Sequence, residues 1–299
     1  MRKLLIVIVF FVIVLILAIA GHLIYLTTLA AEETYPEDTY LDTETNKVAL
    51  IIVAHDDDMA TSAGTITRLC KNGWLIREMC FYQQGGMYFK KDSTKNPIRK
   101  LTLLKVADIQ GLAGVDPIDF NFRNDMNTEK SYFPMPYEQM YNNYKIDSLN
   151  GYISRYIEAY KPSVIFTLDD KLGGYGHPDH VIISKLTLDY CLTHQNDPDF
   201  PVKKIYQAVF THSMAERIMG SMPVYNEAKK VYQIDGPPEP DVQVNIYPFA
   251  KVKKAVFQAY TTEQNSFKKI WPYYRYYPYW IYFRIFDRDF YKVIDVNNL

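Results

Sequence analysis

The chain has 299 residues, with 33 Lys plus Arg against 34 Asp plus Glu and a formal net charge of −1. That balance leaves no electrostatic footprint for nucleic acid. Its three cysteines, Cys70, Cys80 and Cys191, are too widely spaced for a zinc ribbon and odd in number for a disulfide framework, so buried free thiols are expected.

Residues 4–20, LLIVIVFFVIVLILAIA, are unbroken apolar, and the run continues to Leu26 with His22 as its polar interruption. As a helix this stretch measures roughly 34 Å, enough to span a bilayer. Arg2 and Lys3 precede it, and Glu32, Glu33, Glu37 and Asp38 follow it. The positive-inside rule then places the N-terminus in the cytoplasm and the main domain outside. The expectation is a transmembrane signal anchor over 1–26, a juxtamembrane linker over 27–46 and one domain over 47–299. The competing reading is a signal peptide cleaved near Ala18-Ile19-Ala20, giving a secreted protein.

From Lys47 onward strands and helices alternate. Strands are predicted over 47–54, 74–82, 119–122, 163–168, 204–210 and 242–247. Helices are predicted over about 59–72, 97–112, 146–160, 177–193 and 250–262, with Gly73, Pro97 and Pro162 as stop and start signals. Gln83-Gln84-Gly85-Gly86 reads as a turn after the second strand. The alternation predicts an α/β fold, a three-layer Rossmann-like, mostly parallel sheet with helices on both faces, preceded by one transmembrane helix. Residues 211–250 are less regular. The tail carries WPYYRYYPYWIYF over 271–283. Capping of the domain is its first reading, contact with lipid headgroups the second and a sugar-stacking platform the third.

Two of the predicted strands end in motifs that carry chemistry. The apolar run 47–53 leads into Ala54-His55-Asp56-Asp57-Asp58-Met59, and the run 163–168 leads into Tyr175-Gly176-His177-Pro178-Asp179-His180. Charges at the end of a buried strand must be solvated, paired or bound to a metal. The C-terminal edge of a parallel sheet is also where ligands bind, so the two motifs can converge. His55, Asp58 and one histidine of the second motif make a two-His, one-carboxylate set. That set suits a catalytic Zn²⁺ with open positions, and non-haem Fe(II) uses similar ligands. Asp57 is then placed to act as a general base. His22, His194 and His212 read as structural.

These motifs make the sequence resemble the PIG-L/LmbE-like family of zinc-dependent N-acetylglucosaminide deacetylases. The family's A-H-P-D-D-E stands here as Ala54-His55-Asp56-Asp57-Asp58-Met59, and its H-P-D-H as His177-Pro178-Asp179-His180. The likeness runs over about 47–264, through Arg99, Leu112-Ala113-Gly114-Val115, Asp125 and Lys254 to Gln264. It implies His55, Asp58 and His180 as zinc ligands and Asp57 as general base. It also implies His177 as general acid or oxyanion stabiliser, helped by Tyr175, with Asp179 orienting the histidines and Arg99 and Asp125 contacting the sugar. The chain departs from the family pattern at Asp56 (Pro), Met59 (Glu), Thr102 (Glu), Phe257 (Ala) and Thr261 (His).

The reading that follows is a membrane-anchored, zinc-dependent de-N-acetylase. Its expected substrate is an N-acetylated amino-sugar conjugate, a glycan or glycolipid of the cell envelope, with no nucleic-acid partner. A non-catalytic glycan-binding relative is the first alternative, and Asp57 and His177 argue against it because binding alone needs neither. A Mg²⁺ phosphoesterase is the second, and the two histidines argue against it.

Overall fold

The computed structural model describes residues 2–82, 95–124 and 132–297. Among these described residues, seven strands form one mixed sheet: β1 (Val48–Val53), β2 (Leu75–Tyr82), β3 (Gly114–Asp119), β4 (Val164–Leu168), β5 (Lys204–Val209), β6 (Val242–Asn245) and β7 (Arg288–Asp295). Their order is β3-β2-β1-β4-β5-β7-β6. The first five run parallel, and β7 lies antiparallel between β5 and β6. β1 and β4 are apolar along almost their whole length because helices cover both faces of a parallel sheet. Helices Ala63–Lys71, Lys95–Gln110 and Ala250–Ala259 pack together, as do Ile146–Tyr160 and Pro178–His194. Right-handed crossovers put these groups on opposite faces, since the chain winds one way from β1 to β3 and the other way from β4 to β5. The winding reverses between β1 and β4, so their C-terminal ends flank the crevice where an open α/β sheet takes its ligand.

Most boundaries agree with the sequence reading to within a few residues; two strands do not. The third strand is Gly114–Asp119, not 119–122. Pro117 lies inside it, and β3 is an edge strand, where a residue without an N–H is tolerated. The strand β7 was not foreseen. Polar residues interleave along it, and one of them, Asp289, is buried because Lys253, also buried, donates to it at 2.5 Å while Thr65 donates twice to its other oxygen. Helix Asp58–Lys71 also begins as a 3₁₀ turn, Asp58–Ser62, before becoming α-helical. The Gln83–Gly86 turn and Asp125 lie outside the described residues. Cys70, Cys80 and Cys191 are free thiols.

The N-terminal helix spans Arg2–Leu29 and is long and apolar enough to cross a membrane. Its apolar stretch is exposed, while Leu26 and Leu29 are buried against the domain. The segment expected as a linker packs on the sheet edge. Glu37 forms a parallel bridge with Gln243, Asp38 accepts from the Tyr206 hydroxyl at 2.7 Å, and Glu44 accepts from Lys203 Nζ at 2.9 Å. Burial raises the pKa of Glu44, but hydrogen bonds from Tyr40, Lys203 and the Asn46 N–H outweigh it and hold the group at about 2, against 4.5 for the free side chain. A depressed carboxyl stabilises the fold fully above its unfolded value, and that contribution is lost as pH falls toward the folded one. Urea-unfolding midpoints should therefore drop between about pH 4.5 and 2, and Glu44→Gln should flatten that slope.

Candidate metal centre and active site

The first half of the site is a turn locked by its own aspartate. Asp58 Oδ2 accepts the His55 backbone N–H at 2.8 Å, closing the chain back on the end of β1. That leaves Asp58 Oδ1 facing inward, 3.4 Å from His55 Nδ1. The second half is a glycine-rich loop wrapped around Asp169. This buried carboxylate accepts the N–H groups of Lys171, Leu172 and Gly174 at 3.1, 2.5 and 2.8 Å. The loop presents the Gly173 carbonyl to His180 Nδ1 at 2.9 Å. Gly173 has φ +61°, and a Cβ there would stand 2.7 Å from that of His180, so any other residue would displace the imidazole. His177 is the N-cap of helix Pro178–His194, and its Nδ1 accepts the Asp179 N–H at 3.2 Å.

Hydrogen-bond partners fix the tautomers. His180 Nδ1 faces a carbonyl, so it donates and Nε2 carries the lone pair. His55 Nε2 lies 3.2 Å from Asp179 Oδ2, so it donates and the neutral ring has its lone pair on Nδ1. These two lone pairs face each other at 3.0 Å, with Asp58 Oδ1 3.1 Å from His180 Nε2. Three acceptors thus converge on one centre. Their separations of 3.0, 3.1 and 3.4 Å match the edge of about 3.3 Å expected for tetrahedral ligands at about 2.0–2.1 Å from a cation. The residues therefore fit a divalent metal. The ligand atoms of His55, His177 and His180 also lie within 4.8 Å of one another. The electrostatics follow the same geometry. Burial works against charge on His55, but Asp58 and Asp179 push it up to about 10, so the centre favours positive charge and a bound cation would take the place of the Nδ1 proton. Burial works against Asp58 as well, and His180 and His55 hold it far below the carboxylate range.

Asp179 stands behind His55. Its Oδ1 accepts from Arg123 Nη1 at 2.7 Å and the Tyr144 hydroxyl at 2.5 Å, and its Oδ2 faces His55. Burial opposes its ionisation, but His177, Arg123 and His55 outweigh it and keep the carboxyl well below its usual range. Such outer partners orient a ligating imidazole and raise its basicity. Asp179→Asn is expected to weaken metal affinity about 10–100-fold, readable by competition with a chromophoric chelator. Arg123 and Tyr144 were missed in the sequence. An antiparallel bridge joins them across twenty residues, and no local pattern announces it.

Asp57 lines the cavity beside this centre. Burial, opposed by Arg99 and reinforced by Glu263, Asp56 and Asp58, pushes its carboxyl up to about 7. Arg99 also lines the cavity, but its guanidinium is engaged by three carboxylates. It donates to Asp56 at 2.7 Å, to Asp57 at 3.1 Å and to Glu263 at 3.3 Å. Asp56, which had no role in the sequence reading, is thereby the buried counter-ion of Arg99, and its carbonyl accepts the Tyr260 hydroxyl at 2.5 Å. Glu263 enters from the late segment, where Gln264 ties off helix Ala250–Ala259 by donating to the Phe257 and Tyr260 carbonyls. His177 is buried. Burial, opposed by Asp179 and reinforced by His180, His55 and Arg123, keeps it well below the usual histidine range and so neutral. Tyr175 meets the His180 ring edge-on, with ring centroids 5.3 Å apart.

The cavity holds about 470 Å³. Its lining joins the catalytic candidates to the apolar side chains of Phe210, Met214, Phe267, Ile270 and Trp271. Sequence comparison matches residues 50–191 to the PIG-L family, described as GlcNAc-PI de-N-acetylase. No curated protein matches the sequence. Among solved structures the chain is similar to the N,N'-diacetylchitobiose deacetylase from Pyrococcus horikoshii, with 16% identity and a TM-score of 0.51 over 86% of this chain and 89% of that one. It is also similar to a deacetylase of the teicoplanin biosynthesis pathway, with 12% identity and a TM-score of 0.54 over 84% and 100%. The A40926 pseudoaglycone deacetylase Dbv21 matches at 11% identity and a TM-score of 0.51 over 85% and 99%. The chain has a PIG-L-like fold. The PIG-L match covers both histidine motifs, whereas Tyr260, Glu263 and the aromatic tail lie beyond it.

Proposed function

We propose that this PIG-L-like protein is a metal-dependent de-N-acetylase that hydrolyses the acetamide of an N-acetylglucosamine-type conjugate to free amine and acetate. The observation that carries this reading is the convergence of three acceptors, His55 Nδ1, Asp58 Oδ1 and His180 Nε2, on one centre beside the cavity-lining carboxyl of Asp57. Two imidazoles and one carboxylate favour Zn²⁺, and Fe²⁺ accepts the same set. Held by His55, Asp58 and His180, a divalent ion would supply polarisation of the amide carbonyl and activation of water at neutral pH.

The remaining work falls to side chains. Asp57, lining the cavity beside these acceptors, takes a proton from the attacking water and returns it to the leaving amine. His177 Nδ1 is occupied by the Asp179 N–H, so its proton lies on Nε2. That tautomer favours oxyanion stabilisation of its two expected roles, with Tyr175 alongside. Arg99 holds Asp57 in place through the carboxylates around it. Asp125 is the proposed sugar contact from outside the described residues. Residues 1–26 are the proposed anchor, with 47–299 as the catalytic domain on the extracytoplasmic side, or a secreted domain if the segment is cleaved.

The test is acetate release from a panel of N-acetylglucosamine conjugates by the purified chain, before and after chelation and after adding Zn²⁺ back. Release that survives complete metal removal would sink the proposal, as would a panel with no acetate released by the zinc-loaded protein.

A further inference from the structure

The aromatic tail divides into two sets. Trp271, Tyr274, Tyr282 and Phe283 are buried and cap the domain. Tyr273, Tyr276, Tyr279 and Trp280 are not, with exposures of 40, 80, 38 and 53%. Packing accounts for the first set and leaves the second unexplained.

Tyr273 of the exposed set lies beside the foot of the N-terminal helix with Tyr276 6.4 Å from it, and Tyr279 and Trp280 follow within three residues of Tyr277. His22 Nδ1 is 2.6 Å from the Tyr277 hydroxyl, and its ring meets that of Tyr273 edge-on at 4.5 Å. Tyr25, itself exposed, lies 6.2 Å from Tyr273. The contact thus falls where the apolar run of residues 4–26 ends, the level at which a spanning helix leaves the hydrocarbon. Tyr and Trp concentrate at that level because their rings are apolar and their edges polar. The charge agrees. Between Glu263 and Asp287 there is no acidic residue, while Lys268, Lys269, Arg275 and Arg284 are all exposed.

We propose that the surface formed by Tyr25, Tyr273, Tyr276, Tyr279, Trp280 and Arg275 is a seat on the bilayer interface, whose partner is the headgroup layer of an anionic membrane. The seat goes beyond the hydrolytic reading and does not depend on it. It rests on the helix Arg2–Leu29 entering lipid. It has a consequence for that reading, because Asn265, Ser266, Phe267, Lys269, Ile270 and Trp271 line the cavity and their segment leads directly into the seat. The seat therefore holds one wall of the cavity at the lipid surface.

Tryptophan fluorescence tests the seat cleanly. Trp74 and Trp271 are buried, Trp280 is exposed, and the N-terminal helix contains no Trp. The full chain is reconstituted in vesicles of phosphatidylcholine and phosphatidylglycerol brominated either near the headgroup or near the chain ends. Quenching is expected to be about twofold stronger with the shallow bromines, and Trp280→Phe should remove that difference. Three results would overturn the seat: failure of the protein to float with the vesicles, flotation with equal quenching of wild type and Trp280→Phe, or flotation with Trp280 quenched by aqueous acrylamide and not by bromine. Shielding of Trp280 by soluble N-acetylglucosamine oligomers in place of lipid would make the surface a sugar platform and would also overturn it.

Discussion

Asp58→Ala is expected to strip the metal, while His177→Asn should leave it bound. Asp58 does two things with its two oxygens. One holds the turn at the end of β1 by accepting the His55 N–H, and the other completes the triangle with His55 Nδ1 and His180 Nε2. Its loss leaves two imidazoles and a loosened turn. Metal content after dialysis should fall from about one equivalent to below about 0.1. His177 is placed differently. Its Nδ1 is committed to capping helix Pro178–His194. Asn at that position keeps an acceptor for the Asp179 N–H and preserves the cap. Metal should remain at about one equivalent while kcat falls about 10²–10³-fold. The reverse pattern, with metal lost from the His177 variant and kept by the Asp58 variant, would make three imidazoles the ligand set, whose ligand atoms all lie within 4.8 Å of one another.

The second large effect is at Asp57. Its carboxylate lines the cavity and is pushed up to about 7 by burial and by Glu263, Asp56 and Asp58, against the pull of Arg99. A base near neutrality is both available to take a proton and able to give it back. Asp57→Asn keeps the shape and the hydrogen bond from Arg99 but removes the basic oxygen. Acetate release should fall about 10²–10⁴-fold in kcat/KM with metal content unchanged. Steady-state assays and metal analysis of the same sample separate this outcome from simple metal loss. A variant within about threefold of wild type would remove Asp57 as the base.

The site was legible in the sequence as far as local pattern reaches. Two apolar strands ending in His and Asp had to meet at one edge of a parallel sheet, and the strand order places them side by side. The turn at His55–Asp58 and the cap at His177 are contacts of two or three residues' separation, which sequence encodes directly. What sequence reasoning missed was built by long-range pairing. Arg99 pairs with Asp56 across 43 positions and with Glu263 across 164. Asp56 looked like a departure without purpose until its partner was in place. β7 was hidden because Asp289 is an acid in a buried place, and its partner Lys253 lies 36 residues away. β3 carries Pro117, which reads as a breaker unless the strand is known to be at an edge.

The most direct test of the metal centre is the X-ray absorption spectrum of the zinc-loaded full chain at the zinc edge. Convergence of His55, Asp58 and His180 predicts about two imidazoles and one carboxylate oxygen, with light oxygen or nitrogen atoms filling the remaining positions. Asp58→Asn should change that spectrum or abolish it. A spectrum fitted by three imidazoles and unaltered in Asp58→Asn would contradict the account at its centre.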